Sequence, residues 1–244
     1  MPARFISLTL PAPSETFRLD GAEGHHLSRV LRVRTGELVE GLDGKGAIWR
    51  SRVVETDKSG VLLQGEETEQ HPAPTPELGM AVALLKPQAM EWVVQKAVEL
   101  GVTCMYPVVT DRSVARLSKD RELRWVERTD RVVDAALKQC GRAWRPSVHA
   151  PMAWKDFLNL PVVGRKLMAN LDGNTVLLPE ALEGAVDGAT LLVGPEGDFS
   201  EKERLEAREA GWLSVSLGDA VLRAETAVLY GLSAMVYTLR RETT

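Results

Sequence analysis

The sequence predicts an α/β chain in two parts: a small β-rich N-terminal domain over 1–68, and a second domain over 79–244 built on a mostly parallel sheet. Three observations predict it. Short apolar runs broken by Gly and Asp fill the N-terminal part, and an acidic, proline-rich stretch without apolar periodicity follows. Beyond that stretch, continuous apolar runs alternate with segments of helical periodicity, the pattern of strands and helices in turn.

In the first part, Phe5–Leu8, Phe17–Leu19, Glu37–Leu42, Ala47–Val54 and Val61–Gln64 read as strands. Ala47–Val54 partly alternates between apolar and polar residues, and the Asp43-Gly44 turn ahead of it suits a hairpin. A short helix is expected near His25–Leu31. The acidic segment Glu66–Glu77 carries Pro72, Pro74 and Pro76 and reads as an interdomain connection, with the linker placed over 69–78.

The second part opens on Met80–Leu85, an apolar run without alternation, as expected of a strand buried on both faces. A helix follows over Gln88–Leu100. Its apolar positions Met90, Val93, Val94, Ala97 and Val98 fall at three- and four-residue spacing, and Gly101 supplies the stop. A strand is expected at Thr103–Val109 and a long helix at Lys119–Cys140. Further strands are expected at Lys166–Leu171, Thr190–Val193 and Val215–Leu217, before a last helix over Thr226–Leu239. Ligands of such a sheet bind beyond the carboxyl ends of its strands.

Composition sets bounds on function. With 44% hydrophobic and 26% charged residues, the 244-residue chain matches ordinary folded proteins. It holds no apolar run of about 18 residues and no secretory leader pattern near its start, so the cytoplasm is the expected location and no membrane partner is expected. Cys104 and Cys140 stand far apart without metal-ligand spacing and read as small buried thiols. His25, His26, His71 and His149 make no metal spacing either, so no metal is expected.

The net charge of −4 argues against indiscriminate coating of nucleic acid. Locally the balance reverses. Between 112 and 145, Arg112, Arg116, Lys119, Arg121, Arg124, Arg128, Arg131, Lys138, Arg142 and Arg145 outnumber five carboxylates. Two readings fit this cluster: a solvated helix face with ion pairs, or a nucleic-acid contact.

Chemistry concentrates near the C-terminus. Leu191-Leu192-Val193 runs into Gly194-Pro195-Glu196-Gly197-Asp198-Phe199, and Ser200-Glu201-Lys202-Glu203 then opens a helix with a capping-box pattern. Glycines let backbone approach a ligand closely, and a strand-end loop offers peptide groups able to read an adenine edge. The next strand ends in Gly218-Asp219, and Leu222-Arg223-Ala224-Glu225-Thr226-Ala227 leads into the last helix. Dinucleotide fingerprints, phosphate loops and nucleophile elbows are missing from the sequence.

With these segments the chain resembles the RsmE methyltransferases of the SPOUT superfamily, which methylate N3 of a uridine in 16S ribosomal RNA. The resemblance covers nearly the whole chain. It rests on His25-His26-Leu27-Ser28-Arg29-Val30-Leu31-Arg32 with Gly36, Lys86, Gln95–Val102, Asp111-Arg112-Ser113, Gln139-Cys140-Gly141-Arg142 and the two C-terminal segments. Asp198 stands where the family usually has a second glycine, and Lys138 where an acidic residue is usual.

The resemblance implies a PUA-like RNA-binding β-barrel in the first domain, a deep trefoil knot in the second, and a homodimer. The parallel-strand pattern alone predicts an open doubly wound sheet, since knots are rare. S-adenosyl-L-methionine is the implied cofactor, contacted by Leu171, Leu192, Gly194, Pro195, Glu196 and Gly197, and by Leu217, Gly218, Leu222, Ala224 and Thr226. Side-chain chemistry and position make Arg223 and Glu225 the candidate catalytic pair, the alternative being an Arg–Glu ion pair that fixes the helix start. Arg29, Arg32, Arg112 and Arg142 are expected at the RNA, whether free 16S ribosomal RNA or the small ribosomal subunit. Two other readings remain: 2'-O-ribose methylation within the same superfamily, and a non-catalytic assembly factor that binds ribosomal RNA.

Overall fold

In the N-terminal unit the inward residues of each strand build one small core. A computed structural model describes residues 2–9, 12–113, 119–171, 175–185 and 187–241, which divide into two units. The first comprises Met1–Ala73 with Asp134–Arg145, the second Pro74–Val133 with Pro146–Thr244.

The first unit carries β1 (Ala3–Ile6), β2 (Thr16–Leu19), α1 (Gly21–His25), β3 (Leu38–Leu42), β4 (Ala47–Thr56) and β5 (Val61–Gln70). Its sheet runs β1-β3-β4-β5-β2, antiparallel except for the parallel β1–β3 pair. Alternation along β4 sends Ala47, Trp49, Ser51 and Val53 inward. The core gathers Phe5, Leu27, Val39, Val61 and Leu63. Asp43 shapes the β3–β4 hairpin by accepting from the Lys45 and Ala47 N–H groups at 2.7 and 2.9 Å. Asp57 does the same for the β4–β5 turn, and Arg18 on β2 donates to it at 2.5 Å, which holds its carboxyl below the usual carboxylate range.

Three expectations need correction here. The helix near His25 continues past α1 as a π-helical turn over His26–Leu31, and Arg32 caps it in the left-handed region at φ 55°. Arg29 lies within this π-helical turn and Arg32 directly after it, and both are exposed. The division at 1–68, 69–78 and 79–244 also shifts. β5 runs on to Gln70 because Glu67, Thr68, Glu69 and Gln70 pair with β4, the next strand begins at Glu77, and Asp134–Arg145 joins the first unit. Finally, Cys140 is only half-buried.

The second unit carries β6 (Glu77–Ala83), α2 (Pro87–Leu100), β7 (Cys104–Val109), α3 (Lys119–Cys140), β8 (Ser147–Val148), β9 (Met152–Ala153) and α4 (Trp154–Asn159). β10 (Arg165–Ala169), β11 (Val176–Leu177), α5 (Leu178–Leu182), β12 (Gly188–Val193), α6 (Glu201–Glu209), β13 (Leu213–Ser216) and α7 (Ala224–Arg241) follow. Every strand pair is parallel, in the order β11-β13-β10-β12-β6-β7-β8, with β9 also on β7. All six residues of β12 are buried, as a central parallel strand requires.

α2 starts on Pro87, buries the five apolar residues at helical spacing, and stops at Gly101 in the left-handed region at φ 99°. α3 belongs to the second unit as far as Val133 and to the first from Asp134. In that last stretch the Lys138 and Gln139 carbonyls accept from Arg4, and Lys138 pairs with Glu23 at 2.6 Å. The lysine that departs from the family pattern thus has an acidic partner.

Gly79 on β6 sits directly opposite Thr190 on β12. A Cβ at Gly79 would stand 2.1 Å from the Thr190 Oγ1, which is itself held by donation to the Val163 carbonyl at 2.7 Å. We expect Gly79→Ala to destabilise the protein by about 1–3 kcal/mol through overpacking. Adding Thr190→Ala should recover part of that loss, read as non-additivity in chemical denaturation.

Candidate functional site

The carboxyl ends of β10, β12 and β13 lie side by side, because Met168 pairs with Leu192 and Ala169 with Val215. Beyond them opens a cleft of about 260 Å³. Its walls are Ala169–Leu171 from β10, Val193–Glu196 with Asp198 from β12, and Leu217–Gly218 with Ala220–Ala224 and Ala227 after β13. This is where a parallel sheet places its ligands.

Of the residues expected at a cofactor, Leu171, Gly194, Pro195, Glu196, Leu217, Gly218, Leu222 and Ala224 stand on these walls. Leu192, Gly197 and Thr226 do not. Leu192 is buried within the sheet and Thr226 is exposed on α7. Arg223 is a wall residue just before α7, where its carbonyl accepts the Ala227 N–H at 2.8 Å. Glu225 lies off the wall, half-buried in the first turn of α7. Among the described residues these two make no ion pair with each other. Sequence reading missed Ala169, Asn170, Val193, Ala220, Val221 and Ala227; their only signal was position, at or just beyond a strand end or, for Ala227, in the first turn of α7.

The β12–α6 loop is held from both sides. Ser200 caps α6 by accepting the Glu203 N–H at 3.2 Å, and the Glu203 carboxylate accepts the Ser200 N–H at 2.8 Å, completing the capping box. Glu203 is 2% exposed, and its other oxygen accepts the Asp111 N–H at 2.8 Å. Ser200 donates to Asp111 at 2.9 Å, and Arg112 donates to the Gly197 carbonyl at 2.6 Å. Asp111 and Arg112 therefore fasten this loop. Arg112, expected at RNA, already commits one N–H to Gly197.

Two backbone positions show why residue type matters. Gly218 has φ 112°, a region that glycine alone enters readily. Asp198 has φ 59° and occupies the position where a glycine was expected. Asp tolerates this geometry, and its side chain accepts the Phe199 N–H at 2.7 Å while Arg204 stands 3.4 Å away. The aspartate thus holds a backbone conformation that glycine enters freely.

The other expected RNA residues, Arg29, Arg32 and Arg142, belong to the first unit; Arg142 is half-buried and interacts within the chain. Arg116 lies outside the described residues. Burial pushes up both the Cys104 thiol and the Tyr106 phenol, which keeps them neutral within the sheet and away from the cleft. Among the described residues no group of His, Cys, Asp or Glu could hold a metal ion, and no helix is long and apolar enough to cross a membrane.

Comparison with known proteins gives this cleft a context. The RNA methyltransferase domain family matches residues 71–236, and the RNA methyltransferase PUA domain family matches 19–64. Ribosomal RNA small subunit methyltransferase E of Synechocystis is 32% identical over 223 residues, 89% of this chain and 72% of that protein. Its namesake in Bacillus subtilis is 29% identical over 244 residues, 96% of this chain and 95% of that one. Among solved structures, ribosomal RNA small subunit methyltransferase E from Neisseria gonorrhoeae bound to S-adenosyl methionine aligns with a TM-score of 0.85 at 28% identity, covering 96% of this chain and 97% of its own. A Legionella pneumophila methyltransferase in complex with bound SAM aligns at 0.87 and 26%, with the same coverage. Matched by both domain families in order and by relatives along nearly its whole length, this chain belongs to the family of ribosomal RNA small subunit methyltransferases E.

Proposed function

We propose that the chain transfers a methyl group from S-adenosyl-L-methionine to N3 of a uridine in 16S ribosomal RNA, in the cytoplasm and as a homodimer with a knotted C-terminal domain. The observation that carries this reading is the cleft over β10, β12 and β13, walled by the three segments that leave those strand ends. The cleft suits the cofactor. Peptide groups of Gly194–Glu196 and Leu217–Gly218 edge it, while Leu171, Val221 and Leu222 give apolar surface for an adenine.

When bound, the cofactor supplies a methyl group already made electrophilic by its sulfonium. The protein's task is alignment and exclusion of water. Leu217, Val221 and Leu222 shield the cleft. Uracil N3 carries a proton that must leave; Arg223 stabilises the negative charge that develops on the base, and Glu225 accepts the proton. Arg29 and Arg32 meet RNA phosphates from the PUA-like unit, with Arg142 in the same unit. Support for the dimer comes from α7, where Thr226, Tyr230, Ser233 and Tyr237 form one exposed stripe, with Trp92 of α2 also exposed.

Calorimetry with S-adenosyl-L-methionine, then transfer of labelled methyl to small ribosomal subunits with nucleoside analysis, tests the reading. N3-methyluridine is the expected product. A 2'-O-methylated nucleoside would move the chain to the ribose-modifying alternative, and absent cofactor binding would make it an assembly factor. Arg223→Ala should lower kcat by about 10²-fold or more, and Glu225→Gln by about 10²–10⁴-fold. Wild-type turnover in both variants removes their roles.

Loop geometry adds a further expectation. Arg112→Ala should weaken cofactor binding about tenfold, on the order of the 1–1.5 kcal/mol of one hydrogen bond, while leaving the melting temperature near that of the wild type. Asp198→Val should cost about 1–3 kcal/mol of stability, whereas Asp198→Gly stays within about 1 kcal/mol.

A further inference from the structure

A second cavity, of about 240 Å³, lies at the same carboxyl edge of the sheet. β6 runs beside β12 with Val82 opposite Val193, so Leu84–Pro87 and Gly194–Glu196 leave the sheet from adjacent strand ends. Leu84, Leu85, Met90 and Val94 form a buried apolar floor. Trp125 of α3 adds a half-buried aromatic wall.

The rim is cationic. Lys86, Arg121, Arg124 and Arg128 surround the opening, and all four are exposed. Glu91 lies on the same rim and pairs with Arg128. Among the described residues, Lys86, Arg121 and Arg124 make no ion pair. An apolar hole with one aromatic face and three uncompensated cations is a poor match for a peptide or a lipid tail. It matches a single nucleotide, whose base stacks on an aromatic ring and whose phosphates pair with arginine and lysine.

We propose that this cavity takes one nucleotide of the substrate RNA, its base against Trp125 and its neighbouring phosphates on Lys86, Arg121 and Arg124. The inference rests on the RNA-methyltransferase reading above and adds a substrate subsite one strand away from the cofactor cleft. It also divides the basic cluster: these three cations serve the RNA, and Arg128 serves the fold.

The test uses the full chain with S-adenosyl-L-methionine, small ribosomal subunits as methyl acceptor, and a short uridine-containing single-stranded RNA as binding probe. Trp125→Ala should raise KM for the subunits and Kd for the probe about tenfold or more. Its kcat and its affinity for S-adenosyl-L-methionine should stay at wild-type values, and Trp125→Phe should restore most of the RNA affinity. Arg121→Ala and Arg124→Ala should each lessen the slope of log affinity against log salt by about 0.7. A Trp125→Ala variant that melts like the wild type and keeps RNA affinity within twofold overturns the proposal. So does Arg124→Glu dissociating the protein into monomers, since the cavity would then be a subunit contact. Should the wild-type protein transfer no methyl to RNA, the enzymatic reading fails separately, and probe binding by wild type against Trp125→Ala still decides whether the cavity holds a nucleotide.

Discussion

The parallel register of β10, β12, β13 and β6 decides where everything else stands. In an antiparallel sheet, successive strand ends alternate between edges, and loops from neighbouring strands face opposite ways. Here every pairing is parallel, so the loops after four adjacent strands open on one edge. Segments distant in sequence, Ala169–Leu171, Gly194–Glu196, Leu217–Arg223 and Leu84–Pro87, thereby become neighbours. Such a sheet must be covered on both faces, and the cost of its unalternating apolar strands is offset by packing under α2, α7 and the other crossover helices. Gly79 and Gly231 show how close that packing is: a Cβ at Gly231 would stand 2.2 Å from Leu191.

Register places the loops, but a glycine-containing loop does not hold its own shape. Glu203 supplies what is missing. A carboxylate 2% exposed would be costly without partners, yet its two oxygens accept the Ser200 and Asp111 N–H groups, and it sits at the positive end of α6. One buried side chain therefore ties the start of α6 to the end of β7. Arg112 extends the tie to Gly197, and Phe199, fully buried, lies within 3.1 Å of where a Gly194 Cβ would be. The result is a preorganised wall, which spares the ligand the entropy of ordering it.

Much of this was legible in the sequence because it is written in periodicity. The buried residues of α2 are the five that helical spacing picks out, and the Ser200–Glu203 pattern forms the capping box it implies. β8, β9 and β11, two residues each, and the short helices α4 and α5 carry no period to detect. The cleft was half visible. Glycine and charged residues mark Gly194, Gly218 and Arg223, while Ala169, Asn170 and Ala220 contribute by position alone. Arg112 was half legible for a physical reason: a guanidinium serves a phosphate or a backbone carbonyl equally well, and the bond of one of its N–H groups to Gly197 has no signal in the sequence. The boundary between units was misplaced because an acidic, exposed strand such as the end of β5 looks like a linker when its hydrogen-bonding partner is unknown.

A net charge of −4 and an RNA substrate are compatible because the potential that an RNA meets is local. Beyond about 8–10 Å, salt screens a surface charge from its surroundings, so the charges at contact distance decide what the opening where Lys86, Arg121 and Arg124 stand presents. What matters there is compensation at contact distance, and among the described residues the rim has three cations without an ion pair and a fourth cancelled by Glu91. The acidic balance elsewhere then acts in favour of function. It weakens non-specific binding along the many phosphates of an RNA, leaving discrimination to local contacts.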